Sequence, residues 1–279
     1  MNNELSLSCE LCPHRCSLGE GQTGYCGTRK HIDGQIKNIS YGLVTSLAID
    51  PIEKKPLYHF YPGHSILSWG SFGCNMKCPF CQNHEISQRG REMAQGYVSP
   101  EELVNMADKA TREAGSIGVA FTYNEPLLGY EYLLEVAPLL RRAGQRVVLV
   151  TNGQLSRGPL MELLPYIDAM NIDLKVFSAE GYQGLGGDFD TVKGTIAQAV
   201  EMGVHVEITT LVVPTLNDDM AMMEAEAQWL AGLGQDIPLH LSRYFPRYKF
   251  QIPPTPITVL QQLQNTAKQY LKYVYLGNV

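Results

Sequence analysis

Seven cysteines carry most of the chemistry that this 279-residue sequence can offer, at positions 9, 12, 16, 26, 74, 78 and 81. Spacing divides them into a group of four, Cys9, Cys12, Cys16 and Cys26, and a group of three, Cys74-x3-Cys78-x2-Cys81. The chain begins MNNELSLSCE, without a basic region followed by an apolar core, so an odd cysteine count does not read as a disulfide framework. Thiolates are soft ligands, suited to iron–sulfur clusters and zinc. Three from one loop can each hold one iron of a cubane [4Fe–4S] cluster and leave the fourth iron open to a small ligand. A structural zinc there would need a fourth protein ligand, and His84 is the local candidate. The group of four is complete in itself. It reads as a zinc staple for a small N-terminal lobe or as an auxiliary Fe–S cluster feeding electrons to the first, with the spacing leaning slightly to zinc.

Elements must position these groups, and the sequence past residue 60 supplies them by alternating apolar runs with helical patterns. Strands are expected at Ile66–Phe72, Ile117–Thr122, Arg146–Thr151, Ala169–Asp173, His205–Val213 and Pro238–Arg243, with a seventh at Lys272–Leu276. Between them, Ser99-Pro100-Glu101-Glu102 combines an N-cap, a first-turn proline and a capping-box Glu, and Leu103, Met106, Ala107 and Ala110 share one helical face. Pro126–Gly144 reads as a helix kinked or broken at Pro138, and Asp218–Leu230 and Thr255–Leu271 as two more. The pitch is that of βα units in a parallel sheet. It predicts an α/β fold, a partial (β/α)6 TIM-like barrel over 66–279, preceded by a Cys-rich metal-binding extension and arm over 1–65. Within the arm, the charged run Asp50–Lys55, bounded by prolines, reads as a solvated surface loop.

In such a barrel the chemistry sits on loops after the strand C-termini. Those loops carry the three cysteines, then Tyr123-Asn124-Glu125-Pro126, Thr151-Asn152-Gly153, Asp173-Leu174-Lys175, Val213–Asp218 and Arg243–Pro246. Other classes are disfavoured. A net charge of −6 without a long Lys/Arg block argues against a nucleic-acid binder, and no apolar run is long enough to span a membrane. A soluble, cytoplasmic enzyme is expected.

The loop Cys74-Asn75-Met76-Lys77-Cys78-Pro79-Phe80-Cys81 resembles the hallmark of the radical SAM superfamily, C-x3-C-x-aromatic-C, and the likeness extends over 66–246. Within it, Cys9-x2-Cys12-Pro13-His14-x-Cys16, the run DPIEKKPLYHF, Gln82-Asn83-x-Glu85-Ile86-Ser87 and the terminal YVYLGNV resemble the radical SAM protein of the AmmeMemoRadiSam system, a relative of glycyl-radical activating enzymes. The resemblance implies a [4Fe–4S] cluster on Cys74, Cys78 and Cys81 that binds S-adenosylmethionine (SAM). The cluster would cleave SAM reductively to a 5′-deoxyadenosyl radical for hydrogen abstraction. By position it implies SAM contacts from Phe80, Asn124, Glu125, Asn152, Asp173, Lys175 and His240. Tyr123-Asn124 replaces a Gly-Gly pair of relatives, Val150 stands where activases carry Asp, and Glu207 lies near an activase Arg. The implied partners are a reductant such as flavodoxin or ferredoxin, and Memo-type and Ammecr-type proteins. The alternatives are activation of a protein glycine, or a non-enzymatic metal or electron-carrier protein. For the individual residues, Asp173 and Lys175 also suit a rim ion pair, Glu125 a helix-start carboxylate, and His240 a hydrogen-bonded core histidine.

Overall fold

The computed structural model describes residues 6–279. Eight strands follow one another in sequence order across a single sheet: β1 (Ser46–Pro51), β2 (Ser65–Gly70), β3 (Ser116–Phe121), β4 (Arg146–Thr151), β5 (Ala169–Asp173), β6 (His205–Val212), β7 (Leu239–Arg243) and β8 (Val274–Gly277). The pair β1–β2 is antiparallel and every later neighbour parallel, so the α/β partial barrel is present with its seventh parallel strand. Strand β1 belongs to this sheet, pairing Leu47 with Trp69 and Asp50 with Ile66, so the sheet begins inside the 1–65 extension. The buried parallel strands are largely apolar, as sheets covered by helices require, but carry buried polar side chains at Ser68, Asn171, Glu207, Thr209, Thr210 and His240.

Six helices of seven residues or more cover the outside: α1 (Pro100–Ala114), α2 (Tyr130–Arg142), α3 (Arg157–Leu163), α4 (Phe189–Glu201), α5 (Met220–Leu233) and α6 (Ile257–Ala267). Helix α1 starts as its sequence dictates. Ser99 Oγ accepts from the Glu102 amide, and the Glu102 carboxylate accepts from the Ser99 amide at 2.8 Å. Leu103, Ala107 and Ala110 are buried, and a fully buried leucine contributes about 2 kcal/mol. Of the kink or break expected at Pro138, the break is absent. Helix α2 runs through it, and the discontinuity lies earlier, where a 3-10 turn over Pro126–Gly129 precedes Tyr130. Helix α3 had no counterpart among the expected elements.

The arm between β1 and β2 is not solvated throughout: Ile52, Lys55 and Leu57 are buried, while Lys54, Tyr58, His59 and 61–64 are exposed. It crosses the barrel at the N-terminal ends of the parallel strands, with Ile52 and Leu57 fully buried against Ile66, Ala120, Val148 and Ala169. Asn171 on β5 donates to the Pro56 carbonyl at 2.8 Å. Glu207 on β6 accepts from the Tyr58 and His59 amides at 3.0 and 2.7 Å. At the far edge His59 Nε2 and the Tyr275 hydroxyl of β8 are 2.7 Å apart. The expectation failed because burial of Lys55 is compensated locally: its ammonium donates to Asp50 at 2.8 Å, and a paired charge tolerates burial that an isolated one does not.

Candidate active site at the strand C-termini

The three-cysteine loop leaves β2 at the C-terminal rim. Cys74, Cys78 and Cys81 line one cavity of about 270 Å³ together with Phe80, Asn124, Glu125, Asn152, Asp173 and Lys175. Strands β2 to β5 therefore bring together every expected SAM contact except His240. Burial pushes the Cys78 thiol up to about 11 and raises Cys74 further. Cys74 Sγ nevertheless accepts from the Met76 amide at 3.3 Å and from Asn152 Nδ2 at 3.6 Å, a donor arrangement suited to an anionic sulfur. The donor set thus fits a thiolate-bound metal group. Among the described residues, no three His, Cys, Asp or Glu side chains stand close enough together to clasp a single metal ion. His84 stacks on Tyr248, ring centroids 4.3 Å apart, and is not among the cavity-lining residues.

Each expected contact has a local task as well. Asn124 accepts from the Ser71 amide at 3.0 Å and donates to the Phe72 carbonyl at 3.0 Å, so its amide staples the start of the cysteine loop. Glu125 is buried. Its Oε1 accepts from Thr151 Oγ1 and the Leu127 amide, its Oε2 from the Asn152 amide at 2.8 Å. The Leu127 bond makes it the helix-start carboxylate, and burial outweighs these donors to raise its pKa to about 7. Asp173 and Lys175 form the rim ion pair at 2.8 Å. Burial opposes the Lys175 charge, yet the neighbouring Asp173 carboxylate and Cys78 sulfur raise its pKa.

His240 lies elsewhere. It is buried, with Nε2 2.7 Å from Glu207 and its ring edge-on to Tyr58 of the arm. Glu207, fully buried, also meets His205 at 2.9 Å, and these donors together depress its pKa to about 2 against burial. His240 and Glu207 therefore anchor the arm and do not line the cavity. Asn75 escaped the sequence reading. It accepts from Asn152 at 2.9 Å and donates to the Gln154 carbonyl at 2.7 Å, locking the cysteine loop to the loop after β4. Its place between two ligand-spaced cysteines was the available signal.

The other four cysteines line a separate, small cavity with Arg29 and Leu128. Burial raises the Cys9 thiol and takes Cys12 to about 11. This lobe docks on the first loop: the Cys74 amide donates to the Cys26 carbonyl at 3.2 Å, and His14 Nε2 lies 2.8 Å from the Asn75 carbonyl.

Comparison with known proteins now decides the family. The model of the radical SAM superfamily matches residues 70–226, more than half of the chain. The chain belongs to the radical SAM superfamily. It is thus an enzyme of the radical SAM class, and membership implies a [4Fe–4S] cluster and SAM. It is 40% identical over 278 residues to an uncharacterized protein of Methanocaldococcus jannaschii, covering 98% of this chain and 81% of that one. It is 29% identical over 149 residues to the pyruvate formate-lyase-activating enzyme of Clostridium pasteurianum, covering 52% of this chain and 61% of that enzyme. In fold, Streptococcus suis SuiB bound to its precursor peptide SuiA aligns with a TM-score of 0.59 at 15% identity, over 75% of this chain and 48% of SuiB. Among the described residues, no helix of this radical SAM protein is long and apolar enough to cross a membrane.

Proposed function

We propose that Cys74, Cys78 and Cys81 hold the [4Fe–4S] cluster, and that the protein cleaves SAM reductively to abstract hydrogen from a substrate. The observation that carries this reading is the arrival of three thiols, a buried carboxylate and an ion pair in one cavity. When bound, the cluster supplies the electron that splits SAM into methionine and a 5′-deoxyadenosyl radical. The protein's residues bind and orient. Glu125 Oε2, with one internal donor, keeps capacity for an ammonium hydrogen, while Lys175 and Asp173 present opposite charges to an aminocarboxylate. Asn152 holds Cys74 and, through Asn75, the cysteine loop. Phe80, buried and edge-on to Phe250, closes the wall against water, which radical chemistry requires. His240 is better read as an anchor of the arm than as a SAM contact.

Cys9, Cys12, Cys16 and Cys26 form, in this reading, a second metal site holding zinc or an auxiliary Fe–S cluster. The reductant is a low-potential donor such as flavodoxin or ferredoxin, and Memo-type and Ammecr-type proteins are the partners that the sequence resemblance brings. Likeness to a pyruvate formate-lyase-activating enzyme favours a second substrate reading, a protein glycine. Anaerobic reconstitution tests the core proposal. About four irons and four sulfides should load on the triad, and added SAM should change the reduced cluster's EPR signal. An unchanged signal refutes the site. Deuterium transfer from a labelled glycine peptide into 5′-deoxyadenosine tests the second reading.

A further inference from the structure

Tyr123 sits in the cavity wall with a φ of 71°, the left-handed region that an L side chain disfavours. The Asn124 amide donates back to the Thr122 carbonyl at 2.9 Å, so Tyr123 is the centre of a tight γ-turn of the rare, strained form. Such a turn persists only where its surroundings over-determine it. Here the surroundings come from the arm. The Tyr123 hydroxyl donates to Asp50 Oδ2 at 2.7 Å. The same oxygen accepts from Lys55 at 2.8 Å and from Ser68 at 2.9 Å. The Lys55 ammonium also lies 4.7 Å from the Tyr123 ring centroid. Gly70 leaves space for the ring, since a Cβ there would come within 2.8 Å of it. On the cavity side the Tyr123 carbonyl accepts from Asn83 Nδ2 at 2.8 Å, tying the turn to the cysteine loop.

We propose that Asp50 and Lys55 are positioning residues for the SAM pocket, which act by holding Tyr123 in its left-handed turn and so aim Asn124 and Glu125 at the cavity. The proposal rests on the reading of that cavity as the SAM site. Neither arm residue lines the cavity, so their influence passes through Tyr123. A glycine at 123 would need no such support, because it takes positive φ without a steric cost. The arm therefore does for tyrosine what backbone freedom would do for glycine.

The experiment compares SAM affinity, read by titration of the reconstituted protein, between Tyr123→Ala and Tyr123→Gly. Both lose the phenol and ring, but only glycine is free in the turn. We expect the alanine variant to bind SAM about tenfold more weakly than the glycine variant, the scale of an unsupported left-handed residue. A second comparison ties the effect to the arm. The isosteric Asp50→Asn should weaken binding in the parent and add little in the Tyr123→Gly background. Equal affinity of the alanine and glycine variants overturns the turn argument. Equal loss from Asp50→Asn in both backgrounds overturns the role of the arm. If the parent itself binds no SAM with its cluster loaded, the site reading fails instead, which the parent titration shows before any variant is compared.

Discussion

The two cysteine groups lie against each other yet are built on opposite plans. The group of three sits on a loop over a cavity of about 270 Å³, with charged and polar side chains contributed by every parallel strand or the loop that follows it, from β2 to β8. The group of four surrounds about 10 Å³, with Arg29 and Leu128 as further walls. Space beside a thiol set admits a ligand, and its scarcity around the group of four accords with the closed metal site proposed for it, a fastening. The lobe also lacks a core of its own: its strands are two- and four-residue pairs, Leu7–Ser8 with Ser17–Leu18 and Arg29–Ile32 with Gln35–Asn38. Small units of this kind commonly depend on a metal. The Cys26–Cys74 backbone bond then makes the fastening a support for the reactive loop.

The largest effect should separate the two groups outright. Cys74→Ala, Cys78→Ala or Cys81→Ala should reduce 5′-deoxyadenosine formation to background, while Cys12→Ser should leave it measurable. Metal analysis sharpens the contrast: on the proposed reading of the lobe as a second metal site, a protein lacking all three loop cysteines should still bind metal. About four irons and sulfides there would decide for a cluster over zinc. Next, Cys12→Ser should lower the thermal midpoint by about 5 °C or more, because binding energy of the metal is folding energy. A midpoint equal to the parent's would remove the fastening role.

A site remote from both groups serves as the control. Glu226 on α5 is buried against Thr210 of β6, and burial raises its pKa from 4.5 to about 8. Between those values the folded carboxyl stays protonated while the unfolded one ionises, so its contribution to stability is lost as pH rises through that window. Glu226→Gln should remove this slope and gain up to about 3 kcal/mol at pH 7, read from denaturant midpoints at several pH values. Metal content of both cysteine groups should not move. The smallest effect concerns docking of the lobe. Arg29 is buried, ion-paired with Glu131 of α2 and bonded to the Leu128 carbonyl at 3.0 Å. Glu131→Gln leaves that guanidinium with a weaker partner, and with Glu131 half-exposed the cost should be about 1–2 kcal/mol in chemical denaturation.

What could be read in the sequence follows from the physics of each region. Strands β4 and β5 have the bounds expected of them: β4 holds a continuous apolar run, Val147–Val150, as buried parallel strands commonly do, and β5 a short one interrupted by the buried Asn171. The capping box of α1 is local chemistry and equally plain. The arm was misread because a charged run does not show which of its members will be buried: Asp50 and Lys55 pair only five positions apart, while Glu207, which holds the arm from β6, lies 149 and 148 positions from the amides it accepts. No local pattern shows that two charges will neutralise each other. For the same reason Tyr123-Asn124 showed only as the replacement of a Gly-Gly pair, and the bond from the Tyr123 hydroxyl to Asp50 was not legible.

The contact between His59 and Tyr275 joins positions 216 residues apart and has a consequence for the order in which the chain becomes structured. During synthesis the arm emerges early, but Glu207, His240 and Tyr275, which hold it beneath the sheet, arrive one after another. Ile52 and Leu57 find their partners on β2 to β5, but the rings of Tyr58 and His59 lack theirs until His240, Tyr273 and Tyr275 have been made. Contacts so distant along the chain slow folding. The end of the arm should therefore be the last part of the sheet's underside to become ordered as the chain leaves the ribosome.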